Sequence, residues 1–288
     1  MNSVDDNLYT ELIESPTNGL KAIMCRVTHT NQDFFGTCSI VPFENARLAE
    51  QHSRELCVRA HSISNIFDLG KDGVHLNIYG PEHLILDVKI VTDFCNYLEE
   101  TWDFKMTLSM RNQPVLVSKN YLNTPVDLSQ FSAEAIFRVI KKFQNRKGVY
   151  SSLMKVAIQG LGKVGMCLAK FCYDEGYQIY ASDISNDRRK EAQALYGVIP
   201  VQADQIYMQD CTVFCPCAIS GTLNASTMPQ LVCQFIVGSA QFQKNPNNYK
   251  LIDTNQPIWA PDILMDPSIL AYFFNKKEVY FRRLELLV

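Results

Sequence analysis

The chain lacks most of the features that would classify it at a glance. In 288 residues no apolar run reaches the roughly 18 residues of a transmembrane helix, so no membrane partner is expected. The opening Met1-Asn2-Ser3-Val4-Asp5-Asp6 is polar and acidic, without the basic start and apolar stretch of a secretory signal. Excess charge is missing as well. Lys and Arg number 27 against 30 Asp and Glu, and the net −3 offers no electrostatic footprint for nucleic acid. The five histidines are scattered, and no Cys-x-x-Cys or paired histidine accompanies Cys211, Cys215 and Cys217. Zinc needs four ligands, so no metal is expected and these thiols read as small residues on a buried strand. Ten cysteines without a signal imply reduced thiols and a cytoplasmic protein. There is no internal repeat and no low-complexity tract. What remains is a globular composition, 47% hydrophobic and 20% charged, long enough for two ordinary domains.

Against that plain background stands Lys155-Val156-Ala157-Ile158-Gln159-Gly160-Leu161-Gly162-Lys163-Val164-Gly165. An apolar β run feeds into G-x-G-x-x-G, and an amphipathic helix follows. Val164, Cys167, Leu168, Phe171 and Cys172 fall at i, i+3, i+4, i+7 and i+8, one stripe of a 3.6-residue period. Glu175-Gly176 closes the helix, and a second strand, Gln178–Ser182, ends at Asp183, 23 positions after Gly160. Each part has a physical task. Gly160 permits the tight turn, Gly162 lets the backbone approach a pyrophosphate, and Gly165 permits close helix–strand packing. The diphosphate would rest on the free N–H groups and positive dipole end of the helix. Asp183 would accept from the adenosine ribose and repel a 2′-phosphate, which favours NAD over NADP. A nucleotide-free Rossmann domain that keeps its glycines is the plainer alternative, and a methyltransferase is another, though nothing later in the chain supports the latter.

The fold class expected is α/β: an N-terminal mixed α/β domain plus a C-terminal Rossmann domain with a doubly wound parallel sheet. In the first half, strands are expected at Leu20–Val27, Gly36–Val41 and Val74–Tyr79, and helices at Glu44–Ala60, Leu84–Leu98 and Ser132–Gln144. One or two further strands are expected in Met106–Val117. Ser132 and Glu134 suit the start of the last of these helices. Asn145-Arg146-Lys147-Gly148 reads as the boundary, giving domains 1–147 and 148–288. The Rossmann strands follow at Lys155–Gln159, Gln178–Ser182, Thr212–Cys215, Phe235–Gly238 and Ile258-Trp259. The apolar closing segment, Ser268 to Leu287, is expected to return to the first domain as a helix.

The second half resembles the Glu/Leu/Phe/Val amino-acid dehydrogenases, leucine dehydrogenase above all. The similarity extends from Lys155 to Asp262 through Ser182-Asp183-Ile184, Cys215-Pro216-Cys217-Ala218, Pro229-Gln230-Leu231, Val237-Gly238-Ser239-Ala240 and Ala260-Pro261-Asp262. The resemblance implies an NAD site built from Gly160, Gly162, Lys163, Val164, Gly165, Asp183 and Ile184, with Cys217, Ala218, Ala240 and Gln241 along the adenosine and nicotinamide path. It also implies a small-molecule amino acid or imine substrate and a homodimer or higher homo-oligomer.

The first half is similar only in places, and its departures matter. The family uses one lysine on the substrate carboxylate and a second as a base. Here Ser64 occupies the first position, and the second falls near Lys71, Gly73 or His75. The family's catalytic Asp would fall near Met110 and is absent. The C-terminal segment is shorter than the family's. Two classes of function follow. One is an NAD-dependent oxidoreductase with an altered site, moving hydride to or from an amino acid or imine, with Lys71 or His75 as acid and Ser64 bonding the substrate. The other is a non-catalytic pseudoenzyme that keeps the fold to bind a partner or act as a scaffold.

Overall fold

A computed structural model describes residues 8–27, 34–40, 42, 45–102, 127–218, 221–240, 257–266, 269–270 and 273–288. The chain divides into two compact units, Met1–Val126 and Asp127–Val288.

In the first unit β1 (Leu8–Glu14) pairs antiparallel with β2 (Lys21–Val27), and β2 pairs antiparallel with β4 (Asp72–Tyr79). Strand β3 (Phe34–Ile40) lies parallel to β4, so the order is β1-β2-β4-β3. The two-residue period of a strand sorts the side chains onto two faces. Ala22, Met24, Val74, Leu76 and Ile78 face one way, onto Ile85 of α2 (Glu82–Ile85) and Val91, Phe94 and Leu98 of α3 (Val88–Trp102). Ile23, Cys25, Val27 and Tyr79 face the other way, onto Ala49 and Cys57 of α1 (Ala46–Ile66). Covered by helices on both sides, β4 is buried at all eight positions. Helix α1 starts at Asn45, whose side chain accepts from Leu48 N–H at 3.1 Å, and runs six residues past the expected end at Ala60. Strand β1 went unseen in the sequence because it is an edge strand, and its mixed, half-exposed pattern carries no clean alternation. The expected strands of Met106–Val117 lie outside the described residues.

In the second unit six strands pair parallel in the order β10-β9-β8-β5-β6-β7. They are β5 (Lys155–Gln159), β6 (Gln178–Ser182), β7 (Ile199–Pro200), β8 (Val213–Pro216), β9 (Phe235–Ile236) and β10 (Ile258–Trp259). Read from β7, the chain order is 3-2-1-4-5-6, the doubly wound Rossmann arrangement, whose direction of growth reverses between β5 and β8. The expected parallel sheet is therefore present, with β7 as an additional two-residue edge strand.

Helix α4 (Ser129–Lys147) belongs to the second unit, not the first as its position before Asn145–Gly148 suggested. Its packing explains the assignment. Phe137 stacks on Phe171 of α5 (Lys163–Asp174) at 5.6 Å, and Tyr177 Oη donates to Gln144 Oε1 at 2.5 Å. Gly148 ends this helix in a left-handed C-terminal turn, so the Gly signal marked a helix end rather than a domain border. The closing helix, Lys277–Leu287, packs on α4 through Phe131, whose ring meets Tyr280 at 5.1 Å and Phe281 at 5.5 Å. It thus returns to an element that the sequence reading placed in the first domain, within the second unit.

Ser132 does not start α4. It is buried one turn in, and the first free N–H, that of Ser129, is taken by Asp127 Oδ1 at 2.9 Å. Hydrogen bonds from Ser129 and the nearby Lys163 hold the Asp127 carboxyl below its usual range. Asp127→Ala is expected to lower the unfolding free energy by about 1 kcal/mol, the typical net value of one hydrogen bond, as read by urea denaturation.

Candidate functional site

The reversal of strand order puts two turns side by side at the carboxyl ends of β5 and β8. Gly160 leaves β5 with φ +94°, a conformation that side chains rarely adopt. Its N–H donates to Ser182 O at 2.7 Å, and a Cβ on it would lie 2.8 Å from the Ala218 Cβ. A Cβ on Gly165 would collide with the Gly160 carbonyl oxygen, so this glycine seats α5 on the turn. Gly162 is different. Its φ of −68° suits any residue, and a Cβ there would meet no atom of the described residues within 4 Å. Among the described residues neither backbone nor packing accounts for it. It is the N-cap of α5 and supplies no side-chain cap, so the first-turn N–H groups lack an intrahelical acceptor at the positive end of the helix dipole. Lys163, which begins α5, is 81% exposed with its Nζ 3.7 Å from Asp127, and Val164 is half-buried. The sheet-facing stripe of α5 is Gly165, Leu168, Ala169 and Cys172, while Phe171 turns to α4.

Asp183 follows β6 and is buried, only 8% exposed. Its Oδ2 accepts from Leu161 N–H at 2.7 Å and its Oδ1 from Ser185 N–H at 2.8 Å. The acid therefore holds the glycine turn and the start of α6 (Asn186–Tyr196) in one arrangement. The guanidinium of Arg188 comes within 3.8 Å of Oδ2, and Arg189 donates to the Asp183 carbonyl. Sequence reasoning missed both arginines, although their adjacency five and six residues after the acid was visible. Next to the acid, Ile184 is 95% exposed, an apolar side chain left in solvent at the rim of the turn.

On the other side of the crevice, Cys217 N–H donates to Gln159 O at 2.8 Å and Ala240 N–H to Pro216 O at 2.9 Å. Cys217, Ala218 and Ala240 are thus brought beside the glycine turn, while Gln241 lies outside the described residues. Burial pushes the Cys217 thiol up, partly offset by hydrogen bonds with Ser239. Cys211 sits before the start of β8, at the sheet end opposite Cys217. A hydrogen bond shared with Cys233, together with burial, raises its thiol. Among the described residues no group of three His, Cys, Asp or Glu is placed to hold a metal, and no helix is long and apolar enough to cross a membrane.

The candidates in the first unit take other positions. Ser64, buried near the end of α1, donates to the Lys71 carbonyl at 2.5 Å and accepts the Lys71 N–H at 3.2 Å. Its hydroxyl ties α1 to the loop before β4. A Cβ on Gly73 would lie 2.5 Å from the His61 main-chain nitrogen and 2.6 Å from the Cys57 carbonyl oxygen, so α1 crosses β4 there at backbone distance. No lysine fits that position. His75 is fully buried between the sheet and α1, with Nε2 at 2.9 Å from Ser39 Oγ and its ring edge-on to His52 at 6.0 Å. Ser39 Oγ also donates to Asn77 Oδ1, and Asn77 Nδ2 donates to Ala49 O on α1. Burial, with the nearby His52, lowers the His75 pKa well below the ordinary histidine value. Of the three positions, Lys71 alone has a partly exposed residue.

Comparison with known proteins gives the same picture of the fold and extends it. No family model matches the chain. It is 32% identical to the L-tryptophan dehydrogenase of Nostoc punctiforme over 125 residues, 43% of this chain and 35% of that protein. It is 34% identical to the leucine dehydrogenase of Geobacillus stearothermophilus over 112 residues, and 34% identical to the phenylalanine dehydrogenase of Bacillus thermotolerans over 135 residues. These matches span 30% to 35% of each relative's length. Over those stretches the chain is a homologue of amino-acid dehydrogenases. Among solved structures, the crystal structure of the Nostoc punctiforme L-tryptophan dehydrogenase superposes with a TM-score of 0.77 at 20% identity, covering 97% of this chain and 87% of that one. The Leu-bound hetero-hexameric glutamate dehydrogenase from Thermus thermophilus gives 0.61 at 14% identity, covering 97% and 76%. At such identities these two show the shared fold alone.

Proposed function

We propose that the chain binds NAD(H) at the Gly160–Gly165 turn and is an oxidoreductase of the amino-acid dehydrogenase type, acting on an amino acid or imine. The observation that carries this reading is Gly162. It is a glycine that neither its backbone conformation nor any described neighbour requires, at a helix N-terminus whose first-turn N–H groups lack intrahelical acceptors, where a closely approaching ligand makes a side chain costly. The N–H groups of Lys163, Val164 and Gly165 would hold the diphosphate, Asp183 would orient the ribose, and the exposed Ile184 would cover one adenine face. Cys217, Ala218 and Ala240 would line the path onward. When bound, the nicotinamide supplies or accepts the hydride. Reduction of a C=N bond also requires a proton at nitrogen, and Lys71 is the residue we assign to hold it. Ser64 and His75 act in our reading as supports, because their polar atoms are engaged inside the fold.

Calorimetric titration with NADH tests the nucleotide half of this reading, and micromolar binding is the expected result. The chemical half is tested by consumption of NADH with a panel of cyclic imines and of 2-oxo acids with ammonium. Lys71→Ala is expected to lower kcat by about a hundredfold, the usual value of a positioned general acid. The sealed Gly73 and buried His75 favour a second reading, a partner-binding or scaffold protein that holds nucleotide without turnover. NADH binding with no turnover on either panel would select it.

A further inference from the structure

Asp183 carries more than an NAD-type acid does in the simple scheme. One backbone N–H already occupies each of its oxygens, at 2.7 and 2.8 Å, and the carboxylate is 94% buried. Its charge is also compensated, because the Arg188 guanidinium lies 3.8 Å from Oδ2 with its side chain 55% exposed. The neighbouring Arg189 is committed inward, to the Asp183 carbonyl and to Asn186. The two arginines therefore divide the work: Arg189 fixes the turn, and Arg188 stands at its rim with donors free to reorient. An acid that accepts from two N–H groups and faces a guanidinium repels an incoming phosphate less than a bare carboxylate does, and a guanidinium fork matches phosphate oxygens.

From this geometry we infer that Arg188 makes the ribose end of the site accept a 2′-phosphate, so that the chain takes NADP(H) as well as NAD(H). This inference rests on the nucleotide reading above and specifies its ligand. Leaving Asp183 to hold the turn, Arg188 swings by rotation about its own side chain onto the phosphate monoester. Both nucleotides then share the diphosphate and nicotinamide contacts, and differ only at Arg188.

The test is calorimetric titration of the full chain with NADH and with NADPH at two salt concentrations. The expected dissociation constants lie within about tenfold of each other, with NADPH weakening more steeply in salt because of its additional charges. Arg188→Gln is expected to lower the ratio of NADPH to NADH affinity by about ten- to a hundredfold, the range of a charged hydrogen-bonding contact. Arg188→Lys, which keeps the charge but not the fork, is expected to fall between the two. NADH binding with NADPH weaker by more than about a hundredfold in the unaltered protein would overturn the inference and leave the nucleotide reading standing. An unchanged ratio in Arg188→Gln would overturn it equally. Failure of both nucleotides to bind would overturn the two together.

Discussion

Gly162→Asp is expected to abolish dinucleotide binding without weakening the fold. The two effects separate because this position is an N-cap in extended backbone with open space around the missing Cβ. Aspartate is among the favoured N-cap residues, and a negative charge at a helix N-terminus gains roughly 0.3–1 kcal/mol, so thermal stability should stay level or rise. A carboxylate on the same N–H groups takes the place of the diphosphate and repels it. Two such charges about 4 Å apart near a protein surface cost on the order of 4 kcal/mol, enough for a loss well above a hundredfold. The paired control is Gly165→Ala, whose Cβ would collide with the Gly160 carbonyl oxygen. Overpacking against main chain costs roughly 1–3 kcal/mol or more, so this variant should melt several degrees lower and lose nucleotide as a consequence. Calorimetric titration alongside thermal melts separates the cases. If Gly162→Asp bound NADH normally, the diphosphate would not lie on α5. If it unfolded, the glycine would be structural after all.

A second large effect is expected from pH, through His75. This ring is buried between the sheet and α1, facing Ser39 and His52, and its folded pKa lies well below the ordinary value of 6.5. The unfolded chain therefore takes up a proton that the folded chain refuses. Stability attached to this group is complete above about pH 6.5 and is lost as pH falls below it, by about 1.4 kcal/mol for each pH unit until the folded pKa is reached. Urea denaturation followed at pH 7.5, 6.5 and 5.5 should show the first unit losing stability between the last two. Because carboxylates and other histidines titrate in the same range, the discriminating comparison is His75→Gln. This variant keeps hydrogen-bonding capacity toward Ser39 without a titrating ring. It should be less stable at neutral pH and lose less on acidification. An identical slope in both proteins would exclude His75 as the source.

The two halves of the chain differ in how much of each could be read before folding. In the second unit the signals were local. The glycine turn, the following helix and the acid after β6 are all fixed by residues near one another in sequence, and they reappear as β5, α5, β6 and Asp183. The domain border failed for a physical reason. Gly148 reports only that a helix ends, whereas the allegiance of α4 depends on contacts with residues much later in the chain, Phe171, Tyr177 and Tyr280. In the first unit the candidate residues rest on a resemblance that holds only in places. Sequence cannot say which side of a strand lies under a helix. His75 and Lys71 are four residues apart, yet one is fully buried and the other partly exposed.

By itself, then, the sequence determined the glycine turn and the helix that follows it, because a tight turn, a close approach and a helix N-terminus each demand particular residues at short spacing. Only the tertiary structure shows what each missing Cβ would meet: the main chain of α1 at Gly73, the Gly160 carbonyl oxygen at Gly165, and no described atom within 4 Å at Gly162. The same holds for charge. Asp183 reads as a lone acid in sequence, but the fold surrounds it with two N–H donors and an arginine. Electrostatics at a site is a sum over neighbours in space, and those neighbours are settled only when the chain closes on itself.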